Sequence, residues 1–170
     1  MKVSREPFEG IRALPSFPVV LVTVGRNIMT AAAFHFYSFK PPSVMVGIQP
    51  DNLTSQLIIE KQEYGINLPT RAQLETVRLC GSISGRDADK FERAGLTPEE
   101  ARVIDGYLVA ECPVSIECRV VHEVDFPGTH RWFVGRIEAV HIEEGYSRDW
   151  ALMYWPREYR AVGELLLRVE

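Results

Sequence analysis

The rhythm of hydrophobic and polar positions changes several times along the chain, and each change predicts an element. Phe17-Pro18-Val19-Val20-Leu21-Val22-Thr23-Val24-Gly25 is a continuous β-branched run bounded by Pro and Gly, which predicts a buried strand. Arg26-Asn27 predicts a turn, Ile28 to Phe36 a second strand rich in small residues, and Ser43 to Ile48 a third strand after the Pro41-Pro42 break. The period then lengthens. Asp51-Asn52 caps a predicted helix from about Leu53 to Lys61, Tyr64 to Leu68 reads as a short strand, and Thr70-Arg71-Ala72-Gln73 fits a capping box that opens a helix through Leu79. Asp87 is the expected N-cap of a further helix, with Lys90 at its third position and Gly95 as its stop. Thr97-Pro98-Glu99-Glu100 repeats the capping pattern, with Pro at the first helical position.

The last third reads mostly as sheet. Val114, Ile116, Cys118, Val120 and Val124 alternate with Ser115, Glu117, Arg119 and Glu123, the pattern of a strand buried on one face. From Arg131 to Glu143 the alternation begins with Phe133, Gly135, Ile137 and Ala139 on one face, then slips at Val140 and Ile142, which predicts a β-bulge near Ala139. Asp125 to His130, carrying Pro127-Gly128, is the hairpin connection. No repeat, low-complexity tract or linker interrupts the chain, so residues 1–170 are expected to form one domain. Strands joined by turns and interrupted by short helices predict an antiparallel barrel with helical excursions. A doubly wound sheet would need regular strand–helix alternation and a Gly-rich dinucleotide loop, and neither is present.

Composition narrows the function classes. With 46% hydrophobic and 25% charged residues, the 170-residue chain has the balance of a globular domain with a sizeable core. A formal charge of −4, with no basic face or tail in evidence, argues against a general nucleic-acid or anionic-membrane binder but leaves room for a local cationic pocket. Cys80, Cys112 and Cys118 are odd in number and lack metal-ligand spacing, which predicts free thiols in a reducing cytoplasm; Cys80 reads as a buried structural residue. The N-terminus lacks an apolar signal-peptide core, and the longest apolar runs are too short to span a bilayer, so no membrane partner is expected.

Four segments carry candidate chemistry. Ser84, Arg86 and Lys90 place cations around the expected helix start after Asp87, where unpaired N–H groups and the helix dipole favour an anion; taken alone, the segment reads better as a solvated capped helix, since charged first turns are common. Asn52-Leu53-Thr54-Ser55 puts two hydroxyls in a first helical turn, although capping by itself accounts for Asn52. Asn27-Ile28-Met29-Thr30-Ala31-Ala32-Ala33-Phe34 lets a flat ligand approach the backbone, or packs a strand on a helix. Gly128-Thr129-His130-Arg131 sets a histidine at the mouth of a hairpin, a place where most histidines are inert.

In their order along the chain, these segments resemble the flavin reductase-like family of the FMN-binding split barrel, in its flavoredoxin-type branch. The resemblance runs from about Phe17 to Gly163. It is carried by Pro18-Val19-Val20-Leu21-Val22, Asn27-Ile28-Met29-Thr30-Ala31, Pro41-Pro42, Gly65-Ile66-Asn67-Leu68-Pro69, Cys80 to Phe91, Glu117-Cys118, His130 with Phe133-Val134-Gly135, and Tyr159 to Gly163. It implies a mainly β, six-stranded antiparallel Greek-key split barrel that forms a cytoplasmic homodimer with non-covalent FMN near the interface. Asn27, Met29, Thr30 and Ala31 would line the isoalloxazine. Thr54 and Ser55 with Ser84, Arg86 and Lys90 would hold the phosphate, and His130 would approach the flavin edge or the incoming reductant. Trp155 or Tyr154 would cover the ring.

The function implied is an oxidoreductase that passes reducing equivalents from NADH or NADPH through flavin to an acceptor such as free flavin, ferric iron or a small organic molecule. The alternative is a non-enzymatic FMN electron-transfer protein reduced by a partner protein. A third reading is a split-barrel module storing flavin or haem, with His35, His122, His130 and His141 as the available histidines. Two departures bear on the electron donor: Gly128-Thr129-His130 stands where many reductases carry Gly-Asp-His, and position 34 is Phe where some relatives carry a larger aromatic. A reader of the NADPH 2′-phosphate would need a further cation, for which Arg71, Arg131 and Arg136 are candidates.

Overall fold

The computed structural model describes residues 2–167. A short helix α1 (Pro7–Gly10) leads into β1 (Phe17–Pro18), β2 (Val20–Val24), β3 (Asn27–Ala31), β4 (Phe34–Phe39) and β5 (Pro42–Ile48). Helix α2 (Leu53–Lys61) precedes β6 (Glu63–Leu68), and α3 (Leu74–Ser82) and α4 (Lys90–Ala94) precede the small pair β7 (Pro98–Glu100) and β8 (Tyr107–Val109). The long strands β9 (Val114–Val124) and β10 (Arg131–Ile142) follow, then the short β11 (Leu152–Tyr154) and β12 (Tyr159–Ala161).

Seven strands pair in the order β3-β2-β6-β9-β10-β5-β4, with every neighbouring pair antiparallel. The two edges, β3 and β4, are consecutive in the chain and separated only by Ala32-Ala33. The predicted strand from Ile28 to Phe36 is therefore one kinked run whose first arm pairs with β2 and whose second arm pairs with β5. At the kink the Gly47 N–H donates to the Ala33 carbonyl at 2.7 Å. That shared run curls the sheet on itself, and counting it once leaves the six strands expected of a split barrel.

Two apolar clusters lie on opposite faces of β2. Val20, Val22 and Val24 point into the barrel with Val44, Val46, Ile48, Tyr64, Ile66, Cys118 and Phe133. Val19 and Leu21 point outward and meet Ile28, Val77, Cys80, Phe91, Val109 and Leu152, the face covered by α3 and α4. A strand sandwiched in this way reads as an unbroken apolar run instead of alternating. Helix α3 is preceded by the capping box that Thr70-Arg71-Ala72-Gln73 predicts, with the Thr70 N–H donating to Gln73 Oε1 at 2.8 Å. In β10 the register against β9 shifts between Ile137 and Ala139, at the expected bulge, and also between Val134 and Gly135. At Gly135 a Cβ would lie 2.3 Å from the Tyr64 hydroxyl, so only glycine lets the buried tyrosine approach.

Two expected helices come out differently. Thr97-Pro98-Glu99-Glu100 opens no helix; Pro98–Glu100 is β7, paired with β8. The helix expected after Asp87 starts later: Asp89 is its N-cap, accepting from the N–H groups of Phe91 and Glu92, and Lys90 is its first residue. Gly95 closes it at φ 63° as expected. Asp89 outcompetes Asp87 because Arg26 donates to its carboxylate at 2.6 Å, while Phe91, fully buried, fixes the helix on the outer cluster. No helix among the described residues is long and apolar enough to cross a membrane.

Candidate functional site

The first turn of α2 is where the site begins. Asn52 stands at its N-cap position, yet its side chain makes no capping bond. Among the described residues, no backbone acceptor meets the N–H groups of Leu53, Thr54 or Ser55. Beside them, Ser55 Oγ is fully buried and has no hydrogen-bond partner among the described residues. An unpaired buried hydroxyl is costly, roughly 1–3 kcal/mol, and a group left in that state points to an occupant that would pair with it. Thr54, also buried, accepts from Asn27 Nδ2 at 2.8 Å. Asn27 Oδ1 in turn presses on the loop before α4: a Cβ at position 85 would lie 2.2 Å from it, so Gly85 is required there.

Arg86 comes from that same loop and reaches over α2. Its Nη2 donates to Gln56 Oε1 at 2.8 Å and sits 3.4 Å from the Asp51 carbonyl oxygen. Ser84 Oγ accepts the Arg86 N–H at 3.1 Å and shapes the loop. The two cations do not converge on the start of α4 as the sequence suggests; Asp89 already occupies those N–H groups, and Arg86 serves the neighbouring helix. Lys90 turns inward. Its Nζ donates to the Cys80 carbonyl at 2.8 Å, at the end of α3, and the residue is only 6% exposed. Among the described residues no carboxylate lies within ion-pair distance of it. Burial consequently pulls the Lys90 ammonium below its ordinary value. Lys90, Asn27, Gly85 and Arg26 line a cavity of about 310 Å³.

A second cavity, of about 230 Å³, is a slot along the kinked β3–β4 run, lined by Met29, Thr30, Ala31, Ala32 and Ala33, with Gly47, Gln49, Asn52 and His130 on its other sides. Met29, Thr30, Ala31 and His130, distant in sequence, meet here, and Asn52 joins the slot to the first turn of α2. Thr30 is oriented by donating to the Val77 carbonyl at 2.6 Å. His130 Nδ1 lies 2.9 Å from Thr129 Oγ1, so the hydroxyl stands as the ring's partner at the position where a carboxylate is missing. Trp155 is placed elsewhere: its Nε1 donates to the Ile11 carbonyl at 3.0 Å, its ring meets Phe17 edge to face, and it lines a different cavity beside the terminal segments. Tyr154 packs on Tyr159 and likewise does not line the slot.

Gln49, Gly47 and Gln56 were not singled out by sequence reasoning, and Asn52 was read only as a helix cap. Gly47 did carry a signal, since glycine inside a strand marks a close backbone approach; here the Trp132 ring covers it at 3.0 Å from a would-be Cβ. The three thiols are all buried, with Cys112 and Cys118 pushed up to about 12 by burial, so none presents a reactive thiolate.

Residues 12–163 match the family model of the flavin reductase like domain. The chain belongs to the flavin reductase-like family. A protein of Archaeoglobus fulgidus, described as uncharacterized, is 36% identical over 137 residues, covering 81% of this chain and 76% of its own length. The solved structure of the flavoredoxin of Desulfovibrio vulgaris (Miyazaki F) is similar at 32% identity and a TM-score of 0.86, covering 99% of this chain and 97% of that one. An FMN-binding protein from Thermus thermophilus, with bound p-hydroxybenzaldehyde, is similar at 25% identity and a TM-score of 0.86, covering 99% and 100%. These likenesses place the chain in the flavoredoxin branch of the flavin reductase-like family.

Proposed function

We propose that the chain is an FMN-binding oxidoreductase that takes reducing equivalents from a nicotinamide cofactor and passes them to a small acceptor, acting as one domain in a homodimer. The observation that carries this reading is the junction, at Asn52, between a flat slot and a helix start holding a buried hydroxyl without a partner. A phosphate monoester brings about −1.5 to −2 charge and several strong acceptor oxygens. The free N–H groups of the α2 first turn, Ser55 Oγ, Arg86 and the counter-ion-free Lys90 are the donors such a group requires.

FMN, when bound, supplies the redox chemistry, and the protein supplies orientation and electrostatics. Thr54 and Asn27 brace the helix start against the Gly85 loop. Met29 to Ala33 expose backbone and small side chains along the slot, so a planar ring can lie against them. Half-buried His130 closes the open side, positioned to donate or accept a proton at its free ring nitrogen. The test is a titration of the purified protein with FMN, followed by anaerobic addition of NADH or NADPH with the flavin absorbance recorded. Bleaching by a nicotinamide alone supports the reductase; a spectrum that never shifts on FMN addition refutes flavin binding.

The 32% identity to a flavoredoxin favours one alternative, an electron carrier reduced by a partner protein. In that case FMN binds, yet neither nicotinamide bleaches it. A cytoplasmic location fits both readings.

A further inference from the structure

The groove between the end of α3 and the β11–β12 hairpin is used by none of the roles above. It holds about 520 Å³, and its walls include Glu75, Arg78, Ser82, Tyr154, Arg157 and Tyr159. The hairpin turns through Trp155 to Glu158, where the Trp155 N–H donates to the Glu158 carbonyl at 3.0 Å. Arg157, the third residue of that turn, sits at φ 66°. Glycine or asparagine normally fills such a left-handed position, because a larger side chain is strained there. Here the residue is an arginine, and it lines the groove.

Charge and aromatic surface coincide in the groove. Among the described residues Arg157 has no carboxylate within ion-pair distance, since its neighbour Glu158 pairs with Arg160. Among the described residues Arg78 pairs with Glu75 alone, one turn back on α3, at 3.1 Å. Two guanidiniums against one carboxylate leave the groove cationic. The negative end of α3 is covered as well: Ser82 Oγ donates to the Leu79 carbonyl at 3.0 Å and Lys90 to that of Cys80. Tyr154 and Tyr159, with ring centroids 4.8 Å apart and planes tilted by 52°, form a half-buried aromatic wall beside the cations. The groove adjoins the slot across the packing of α3 on β3. Gly81 lines the groove, a Cβ on it would sit 3.3 Å from Thr30 Cβ, and Thr30 lines the slot.

Resting on the oxidoreductase reading, we propose that this groove takes the phosphorylated adenosine end of the nicotinamide reductant, so that the protein selects NADPH over NADH. Arg157 and Arg78 bind the ribose 2′-phosphate, and the tyrosine pair supports the base. Two of the cations suggested by sequence are committed elsewhere: Arg131 to Glu123 and Asp125, and Arg136 to Glu138.

An adenosine phosphate could also come from the AMP half of a larger flavin dinucleotide, and calorimetric titration with 2′,5′-ADP and with 5′-AMP separates the two sources. The expected result is binding of 2′,5′-ADP at least about tenfold tighter than 5′-AMP, the loss of one charge-assisted contact being worth about that factor. Arg157→Gly relieves the left-handed strain, so it should keep or raise Tm while weakening 2′,5′-ADP about tenfold and moving the NADPH-to-NADH ratio of kcat/KM toward one. Arg157→Lys should restore part of the affinity. Equal binding of both nucleotides would overturn the NADPH assignment, and binding of neither would overturn the groove as a site. Both outcomes are independent of the FMN titration, which reads the other cavity by flavin absorbance.

Discussion

Ser55, whose buried hydroxyl has no partner among the described residues, and Lys90, buried with no carboxylate in ion-pair distance there, are two residues that a bound anion would complete. A hydroxyl with no partner contributes nothing to the ligand-free fold, so Ser55→Ala should leave Tm unchanged or slightly raised and weaken FMN binding about tenfold, as read by flavin absorbance titration. Equal FMN affinity in variant and parent would remove Ser55 from the site. Lys90 gives a pH signature. Its folded pKa lies below the ordinary 10.5, so the unfolded chain holds the proton more tightly and ligand-free stability rises with pH between the lowered folded value and 10.5. Below that window the cost of burying the charged ammonium is fully felt. Lys90→Met should flatten this rise in chemical denaturation curves at alkaline pH and should also lower FMN affinity. Seen in sequence, Lys90 was legible as a cation in the right segment. Its burial was not, because the carbonyl it reaches belongs to α3, ten residues earlier.

At the scale of elements, buried carboxylates fasten the loop between β7 and β8 to the barrel wall. Glu117 on β9 is fully buried and accepts from the N–H groups of Arg102, Val103 and Ile104 and from His141 Nε2. Burial pushes its carboxyl up, but the three backbone donors and the imidazole together outweigh it and hold the pKa below the ordinary carboxylate value of 4.5. Its stabilisation is therefore fully present above pH 4.5 and is lost as pH falls through the folded value. Glu117→Gln, which cannot accept from all four donors, should cost about 2–3 kcal/mol in urea unfolding at neutral pH and remove much of the acid dependence. An unchanged midpoint would mean that the loop is held by other contacts, such as Glu63 with the Asp105 N–H. In β9 the face of Ile116, Cys118 and Val120 meets the barrel interior as the alternation predicts, but Ser115 and Glu117 on the other face are buried too, under Asn67 and the loop between β7 and β8, and Val124 is exposed; the register slip of β10 falls where the period breaks. The β7 segment was misread because Thr-Pro-Glu-Glu matches a helix start locally, whereas pairing with β8, a tertiary partner, decides it.

For the whole molecule, curling the sheet is what makes a site. It brings His130, at the tip of the β9–β10 hairpin, against the kink between β3 and β4 and against Asn52 before α2. On the outside, β4 leaves Phe36, Tyr37 and Phe39 at 46%, 52% and 83% exposure, apolar surface that association of two copies would cover. Sedimentation velocity of the FMN-loaded protein should return twice the mass of the chain, and a monomer at all concentrations would contradict the homodimer.

The linear order of residues determined the local pieces: the sandwiched β2, α2 from Leu53 to Lys61, the capping box at Thr70, the bulge before Ala139, and a series of motifs specific enough to name a family. Those features follow from side-chain period, backbone preference and near-neighbour hydrogen bonds, which a chain carries wherever it folds. Only the tertiary structure decided that Arg86 reaches α2, that Lys90 turns away from solvent, that Asp89 and not Asp87 starts α4, and that Trp155 packs on the N-terminal segment. Each depends on a partner supplied from elsewhere in the fold (Gln56, the Cys80 carbonyl, Arg26, the Ile11 carbonyl), and spacing along a sequence carries no distance to a group brought near by the closing of a barrel.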